Sequence, residues 1–281
     1  MRTMPLKYYL FFVLPTLIAF VIAFLIPFLL GIYLSFTEFT TVTNSQWVGL
    51  SNYVSAFTDN RNFINATLFT VKFAVVSVVV INVLAFGLAL LLTRGIRGTN
   101  VFRTVFFMPN LIGGIILGYI WLLIINGVLI NFGVDITFSA RYGFWGLVTV
   151  VNWQMSGYMM IIYVAGILGI SPELYEAAKI DSANAWQTLR HITLPLVMPA
   201  ISICTFLTLA NSFKLFDQNL ALTAGAPARQ SSMMALDIFN TFYGSMGYEG
   251  VGQAKAVIFF LFVAFMVLLQ LRVSRSREVE I

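Results

Sequence analysis

The chain has 281 residues, of which 59% are hydrophobic and 10% are charged, with a mean hydropathy of +0.90 and a net charge of +5. Soluble domains carry about 25% charged residues, so this chain cannot cover its own surface with polar groups in water. The composition predicts an integral membrane protein and excludes a soluble globular one, and we interpret the modest positive charge as a topology signal, with no nucleic-acid partner.

Six apolar runs approach or exceed the roughly 20 helical residues that cross a hydrocarbon core. Five contain no Asp, Glu, Lys or Arg, and the sixth is shorter, with Lys255 and Arg272 at its ends able to reach the two interfaces. None alternates apolar and polar residues, which excludes a β-barrel. We predict six transmembrane helices within residues 10–34, 73–93, 104–134, 142–172, 192–213 and 256–271.

The first apolar run is far longer than the apolar core of a secretory signal, about 7–15 residues, and no small-x-small site follows it. We therefore expect it to remain as the first span. The predicted organisation is a first span with an external loop (1–66), a core of five spans (67–272) and a cytoplasmic tail (273–281).

Basic residues indicate the orientation. Six spans place both termini on one side of the membrane, and that side receives ten of the 16 Lys and Arg residues. The bias is strongest in the short loops, where the positive-inside rule applies. We therefore predict that both termini are cytoplasmic.

A charged, amphipathic segment at 173–199 interrupts the apolar sequence between the fourth and fifth spans. Ser171 suits an N-cap and Pro172 the first helical position, while Asp181 or Ser182 could cap a second short helix. The pattern predicts a helix–turn–helix parallel to the membrane on the cytoplasmic side. An interfacial helix resting on lipid headgroups is the alternative, but the few basic and central acidic residues favour a protein partner.

This segment resembles the EAA loop of permease subunits in binding-protein-dependent ABC importers, a family whose pattern runs EAA-x-x-DGA, then Q, then I-x-LP. Ser182 stands where the family usually has glycine. In such importers the loop is a coupling helix that sits in a cleft of the cytoplasmic ATPase and transmits its movement to the spans. The resemblance implies an ATPase-coupling surface within residues 172–195, comprising Glu173, Glu176, Ala177, Ala178, Asp181, Ser182, Ala183, Gln187, Leu194 and Pro195.

Further stretches are similar to one branch of that family. SFKLFDQNLALTAGAP at 212–227 resembles the F-x-x-FD…T-x-GGP signature of carbohydrate-uptake permeases, with Ala226 in place of the second glycine. MPNLIGG at 108–114 and the stretch 246–260 are also similar to these permeases. The likeness covers essentially the whole chain and points to the maltose-, lactose- and glycerol-phosphate-type permeases. It implies an all-α type I ABC importer permease fold in the plasma (inner) membrane of a prokaryote.

The resemblance implies a non-catalytic subunit that forms half of the path for an oligosaccharide or related carbohydrate. The implied partners are a second homologous permease, two ATPase subunits and an external solute-binding protein. The sequence has no GxxxxGK[ST] phosphate loop, so we expect ATP and Mg²⁺ on the partner ATPase and no cofactor in this chain. One His and one Cys give no metal-ligand set.

Polar residues inside the predicted spans are candidate sugar contacts, because sugars are bound by amides, hydroxyls, carboxylates and aromatic rings, and such groups are costly in lipid. The stretches NWQMSGYMM and LANSFKLFD carry them in the fourth and fifth spans. Aligned on the family motifs, several fall on or beside the maltose-type pocket. The predicted substrate-binding residues are Asn152, Trp153, Gln154, Tyr158, Thr208, Asn211, Ser212, Leu215 and Asp217.

Alternatives remain at each level. The polar residues could instead bond between packed helices, and Asp217 could pair with Lys214 three positions earlier. A permease for amino acids, phosphate or polyamines would share the EAA loop but lack FD…T-x-G-x-P. A secondary transporter would carry charges mid-membrane and internal repeats, and a non-transporting scaffold would need neither a coupling loop nor a polar lining.

Overall fold

The computed structural model describes residues 6–41, 43–58, 62–244 and 246–275. The chain divides into two compact units, one of Met1–Phe63 with Ile238–Phe260 and the other of Ile64–Asp237 with Leu261–Ile281. The predicted tail beyond Arg275, and Arg61 in the first loop, lie outside the described residues. The described part of the chain is mainly helical.

Five described helices are long and apolar enough to cross a membrane, and a bent pair of helices gives a sixth candidate. A helical protein with several spans is therefore confirmed, and the described helices give five spans, or the predicted six if the bent pair is one span. The pair Ala185–Leu196 and Met198–Phe213 bends by 67° at its break. The five unbroken candidates are Phe11–Leu34, Asn62–Leu92, Gly114–Phe132, Ala140–Leu168 and Glu249–Val273.

The first unit contains a short β-hairpin, which the all-α prediction did not include. Its two antiparallel strands pair Thr37 with Trp47 and Glu38 with Gln46, and a short helix follows. The side-chain amide of Asn52 on that helix donates to the carbonyl oxygens of Ser35 and Thr37 at 3.0 and 2.9 Å. The elements of this stretch are α1 (Leu6–Phe20), a π-helical turn (Val21–Leu25), α2 (Ile26–Leu34), β1 (Thr37–Thr41), β2 (Asn44–Trp47) and α3 (Ser51–Thr58).

The last helix corrects the expectation for Lys255. The helix begins at Glu249, six residues before that lysine, so Lys255 is not at the end of the helix. Its side chain is buried, with 6% of its surface exposed, and its ammonium donates to the Thr241 hydroxyl at 2.8 Å and lies 5.4 Å from the Phe63 ring centre. Hydroxyl and ring contacts satisfy the charge inside the unit, so it does not snorkel.

The second unit is organised around one long helix, Ala140–Leu168, most of whose central residues are buried. This helix contributes more residues than any other element to a core that also includes Phe73 and Ile81 from the preceding long helix and Cys204 from the bent pair. From Asn62 onward the elements are α4 (Asn62–Leu92), α5 (Thr99–Phe107), α6 (Gly114–Leu129), α7 (Ala140–Leu168), α8 (Pro172–Ile180), α9 (Ala185–Thr188), α10 (Leu194–Leu196), α11 (Met198–Phe213), α12 (Asp217–Leu222), α13 (Met234–Gly244) and α14 (Glu249–Arg275). The stretch Ile238–Phe260, which contains most of α13 and the first part of α14, belongs to the first unit.

The predicted span at 104–134 is not one continuous helix. α5 ends at Phe107, a 3₁₀ turn covers Met108–Leu111, and Ile112 is extended before α6 begins. Pro109 removes a backbone donor, which favours a break at this point. The membrane-spanning helix therefore starts at Gly114, ten residues later than predicted, and the break becomes a wall of the site described next.

Candidate functional site

The predicted coupling segment is a helix–turn–helix, as expected. α8 begins after Ser171 with Pro172 in its first turn, although the Ser171 side chain makes no capping bond. The turn places Ser182 at a φ of 57°, the left-handed region in which glycine is favoured. The glycine of the family pattern thus corresponds to a position whose backbone requires positive φ.

The second helix of the segment is capped by Asn184, and not by Asp181 or Ser182 as predicted. The Asn184 carboxamide oxygen accepts from the Gln187 backbone N–H at 2.9 Å, and the Gln187 side chain accepts from the Asn184 N–H at 2.8 Å. This reciprocal pair is a capping box. Gln187, a residue of the family pattern, therefore orders the turn in this structure.

The surface of the coupling segment is small and partly apolar. Glu173, Glu176 and Ala177 are exposed, and Ile180 and Trp186 are 83% and 65% exposed. Ala178 is buried, and its carbonyl oxygen accepts from the Ala183 N–H at 2.9 Å. The two alanines of the motif therefore differ: the side chain of Ala177 lies at the surface, and that of Ala178 is buried.

Behind the segment lies a cavity of about 800 Å³. It separates α8 and α9 from the ends of α4 and α7, and Tyr175 reaches across towards Thr193, with 3.3 Å between the two hydroxyl oxygens. From α9 the chain continues through a π-helical turn at Leu189–Thr193 and through Leu194 and Pro195 into α11. The segment is thus joined directly to α7 at one end and to α11 at the other.

The same two helices wall a second, polar cavity of about 350 Å³ at residues remote in sequence from the coupling segment. Two interruptions of the helices contribute to it: the break after α5, through Asn110, and the break between α11 and α12 at 214–216. Of the predicted substrate-binding residues, four line this cavity, together with others that the prediction did not name. The lining comprises Asn110, Val151, Gln154, Met155, Asn211, Lys214, Leu215, Phe216, Asp217 and Gln218.

A pair of buried amides joins the two interruptions to α7. The Gln218 amide donates to the Gln154 side-chain oxygen at 2.7 Å, and the Gln154 amide donates to the Ile112 carbonyl oxygen at 3.1 Å. Ile112 is extended and belongs to the break after α5. We interpret this chain of bonds as the support that fixes the cavity, since each bond connects a different backbone segment.

Lys214 and Asp217 bring charge to the cavity. Both side chains are exposed to it, and in the described part of the chain no ion pair joins them, unlike the alternative suggested by their spacing. The Asn211 amide donates to the carbonyl oxygen of Leu207, one turn earlier, at 2.8 Å, and its carboxamide oxygen remains available as an acceptor. Donors and acceptors are therefore both available to a polar solute.

The remaining predicted substrate residues lie elsewhere. Asn152 and Trp153 line an apolar groove of about 780 Å³ between α4 and α7, and Asn152 donates to the Val148 carbonyl of its own helix at 2.7 Å. Trp153 contacts Trp121, with ring centres 5.5 Å apart. Tyr158 is half-buried and packs against Phe107 at 6.3 Å. None of these three lines the polar cavity.

Thr208 and Ser212 are almost fully buried at 1% exposure. Thr208 accepts a hydrogen bond from the Asn82 amide at 3.1 Å, and the Asn82 oxygen accepts from the Tyr163 hydroxyl at 2.6 Å. This network joins α4, α7 and α11, as polar residues between packed spans commonly do. For Thr208 the geometry favours the packing alternative.

The second family motif forms a compact turn after α12. The buried Asn219 amide donates to Thr223 Oγ1 at 3.0 Å and to the Ser231 carbonyl at 2.8 Å, and its oxygen accepts from the Met233 N–H at 2.8 Å. Gly225 adopts a φ of 83° and donates to Thr223. Thr223 and Gly225 of the signature thus belong to a hydrogen-bonded turn. Asn219, which the sequence prediction missed, makes the central hydrogen bonds of this turn.

Asn110 and Gln218 were also missed. Asn110 falls within a run that reads as one apolar helix, and Gln218 is an ordinary polar residue in a helix of six residues. Two sequence signals pointed near them: Pro109 marks a break in the helix, and both residues lie in stretches that resemble the family, at 108–114 and 212–227.

Comparison with known proteins agrees with this architecture. Residues 97–279 match the family described as binding-protein-dependent transport system inner membrane component. The probable starch degradation products transport system permease protein AmyD of Thermoanaerobacterium thermosulfurigenes is 46% identical over 97% of this chain and 96% of its own length. The trehalose/maltose transport system permease protein MalF of Thermococcus litoralis is 29% identical over 86% of this chain and 84% of its own.

A solved structure supports the fold independently. A chain of a bacterial ABC transporter involved in the import of the acidic polysaccharide alginate superposes with a TM-score of 0.80, covering 96% of this chain and 95% of that one at 22% identity. At this identity the likeness concerns the fold alone. With the family match over most of the chain, it follows that the protein belongs to the binding-protein-dependent transport system inner membrane components, the non-catalytic permease subunits of ABC transporters.

Proposed function

We propose that this chain is a permease subunit of an ATP-driven sugar importer and that it couples an ATPase to an oligosaccharide path. The observation that carries the proposal is that α7 and α11 both flank the coupling segment and wall the polar cavity. A displacement of α8 therefore acts on the two helices that carry Gln154 and Asn211. Rigid helices joined in this way convert movement at one membrane face into a change at the cavity.

The class of substrate follows from relatives and from the cavity lining. Relatives are named for starch degradation products, multiple sugars and trehalose/maltose. The cavity presents carboxamides, one ammonium and one carboxylate beside Leu215 and Phe216, a mixture that suits hydroxyls and the apolar faces of a sugar ring. We infer that Asn211 and Asp217 contact the sugar and that Gln154, bonded to Ile112 and Gln218, supports the cavity wall. Tyr158 does not line this cavity, and we propose that it contacts the sugar at another point of the path.

The expected assembly contains a second, homologous permease, two ATPase subunits and a solute-binding protein outside the cell. A structural neighbour, a bacterial alginate ABC transporter, was solved in complex with an alginate-pentasaccharide-bound periplasmic protein, which supports the expectation of an external solute-binding protein. The ATPase subunits would bind ATP and Mg²⁺ and would receive α8 and its turn on the cytoplasmic side. This chain would supply no cofactor and perform no bond chemistry.

The experiment is an acidic substitution on the exposed alanine of α8. Ala177→Glu should abolish sugar-stimulated ATP hydrolysis and malto-oligosaccharide uptake, each by more than tenfold, because an unpaired carboxylate buried against the ATPase costs about 3–5 kcal/mol. Co-purification of the assembled complex checks that the subunits still associate. Glu176→Arg, at the neighbouring exposed position, should have the same effect.

The matched control is Asn100→Glu, which adds the same charge at an exposed position of α5 on the side predicted to be cytoplasmic. It should leave both activities unchanged. Full transport by Ala177→Glu and Glu176→Arg would contradict the coupling assignment. Uptake of amino acids or phosphate instead of sugars would contradict the substrate class alone.

A further inference from the structure

An exposed apolar stripe lies between the first and second spans. Trp47, Leu50, Val54 and Phe57 are 64%, 65%, 59% and 47% exposed, and they recur at intervals of three, four and three residues. The stripe runs from the end of β2 along α3, and no Asp, Glu, Lys or Arg occurs from Phe39 to Thr58. We call these four residues the apolar stripe.

Hydrogen bonds fix α3 beside the end of the first span. Asn52 donates to the carbonyl oxygens of Ser35 and Thr37, Tyr53 and Ser35 share a hydrogen bond of 2.7 Å, and the Val48 N–H donates to Phe36 at 2.9 Å. All of these partners lie within three residues of Leu34, where α2 ends. The opposite side of α3 is thus held by the chain, and the apolar stripe faces outward.

The depth of α3 follows from the length of the span. Phe11–Leu34 has 24 residues, which as a helix extends about 36 Å at about 1.5 Å per residue. The hydrocarbon core is about 30 Å thick and the whole bilayer with headgroups about 40–45 Å. A span of this length centred on the hydrocarbon core ends about 3 Å beyond it, so we place the end of α2, and therefore the start of α3, in the headgroup layer.

The apolar stripe is also continuous with the surface of the span itself. Leu29, Leu30 and Tyr33 are 55%, 45% and 49% exposed near the end of α2. The Trp47 ring lies 6.1 Å from the Tyr33 ring and stacks on Phe36 at 5.4 Å. Aromatic residues concentrate at membrane interfaces because their rings combine an apolar body with a polar group.

We propose that the apolar stripe inserts into the membrane interface and anchors the first loop to lipid. The occupant is the boundary between acyl chains and headgroups, since short amphipathic segments with Trp, Phe and Leu on one face bind there. The absence of charge from Phe39 to Thr58 makes the anchor independent of anionic lipid. A protein partner is less suited, since docking surfaces carry a polar rim around their apolar centre.

The test uses nitroxide labels on single cysteines in the complete importer, reconstituted in phosphatidylcholine vesicles, with Cys204 replaced by alanine. Labels at Leu50→Cys and Val54→Cys should be relaxed more strongly by oxygen, which partitions into lipid, than by a water-soluble nickel chelate. A label at Glu38→Cys, an exposed hairpin position, should show the reverse. Adding phosphatidylglycerol should leave all three ratios unchanged.

Stronger relaxation by the nickel chelate at Leu50 and Val54 would overturn the proposal, and protection from both reagents would indicate a covering protein and overturn it equally. A second measurement needs no label. Brominated phosphatidylcholine should quench more of the tryptophan fluorescence in the unsubstituted protein than in Trp47→Phe. Equal quenching of the two proteins would contradict insertion of Trp47.

Discussion

At the scale of single residues, Ser182 shows what sequence comparison with a family can and cannot indicate. The resemblance placed Ser182 at a position usually held by glycine, and the structure gives it a φ of 57°. For an L-residue this conformation costs about 1–2 kcal/mol. The Asn184 capping box and the Ala183 N–H bond to Ala178 hold the turn in place. The position of the turn was predictable, but the residues that stabilise it were not.

The residues of the polar cavity give a prediction for transport. Asn211→Ala removes a carboxamide that the cavity offers to sugar, so the specific rate of uptake should fall about three- to tenfold, the usual value of one hydrogen bond. Asp217→Asn should lower it similarly. Uptake of labelled malto-oligosaccharide into vesicles measures the effect.

The control for Asn211 is Asn131→Ala. Asn131 is exposed and bonds to the carbonyl one turn earlier in its own helix, at Gly127, as Asn211 bonds to Leu207. It lies away from the cavity, so uptake should be unaffected. If Asn131→Ala lowered the rate of uptake as much as Asn211→Ala, the effect would come from loss of an amide on a helix surface and not from loss of a cavity residue.

At the scale of elements, uncharged runs located the spans but gave neither their breaks nor all of their ends: Lys255, taken as the end of the last span, lies six residues inside α14. The run at 104–134 contains no charge, yet it is divided by the turn at Met108–Leu111, and the fifth span bends by 67° at Val197. The number of apolar residues in a run indicates that the run is stable in lipid, but it does not indicate where the helix bends or breaks. The polar cavity is built at such breaks. Because the breaks were not predicted, the lining residues Asn110 and Gln218 were not predicted either.

Contact between α5 and α7 gives a prediction for stability. A Cβ on Gly157 would overlap the carbonyl oxygen of Phe106, a backbone atom that cannot rotate away. Gly157→Ala should therefore lower the midpoint of thermal aggregation of the purified complex, with a cost of about 1–3 kcal/mol or more.

Gly127→Ala is the matched substitution. No atom lies within 4 Å of a Cβ built on Gly127, which is also within a helix. Alanine should be tolerated there or slightly stabilising, by up to about 1 kcal/mol. A midpoint for Gly157→Ala equal to that of Gly127→Ala would show that α5 and α7 are not in close contact.

At the scale of the whole chain, composition and motifs predicted the class of protein well. Apolar runs alone gave a multi-span membrane protein, because burial in lipid requires long uncharged helices whatever the function. The family followed from residues 173–199 and 212–227, and the match over residues 97–279 confirms it. The hairpin at 37–47 escaped prediction, since its alternation is short and it lies outside the family signatures.

Orientation remains a prediction from basic residues, and impermeant maleimide labelling of intact cells tests it. In a Cys204→Ala background, a cysteine at Phe138, which is 66% exposed in the loop before α7, should react in intact cells. A cysteine at Asn100, exposed at the start of α5, should react only after the membrane is permeabilised. The opposite pattern would reverse the topology and place the coupling segment outside the cell.

The interruptions that wall the polar cavity also bear on how cargo preference could diverge among relatives. Asn110, Leu215 and Phe216 sit where the helical ladder has stopped, so replacing them leaves the ridges and grooves between neighbouring helices intact. Gly157 and the core of α7, by contrast, tolerate little change. Substitutions at a few positions outside the regular helices can therefore change which solutes the importer accepts, without any change in the packed helices that couple the cavity to the cytoplasmic segment.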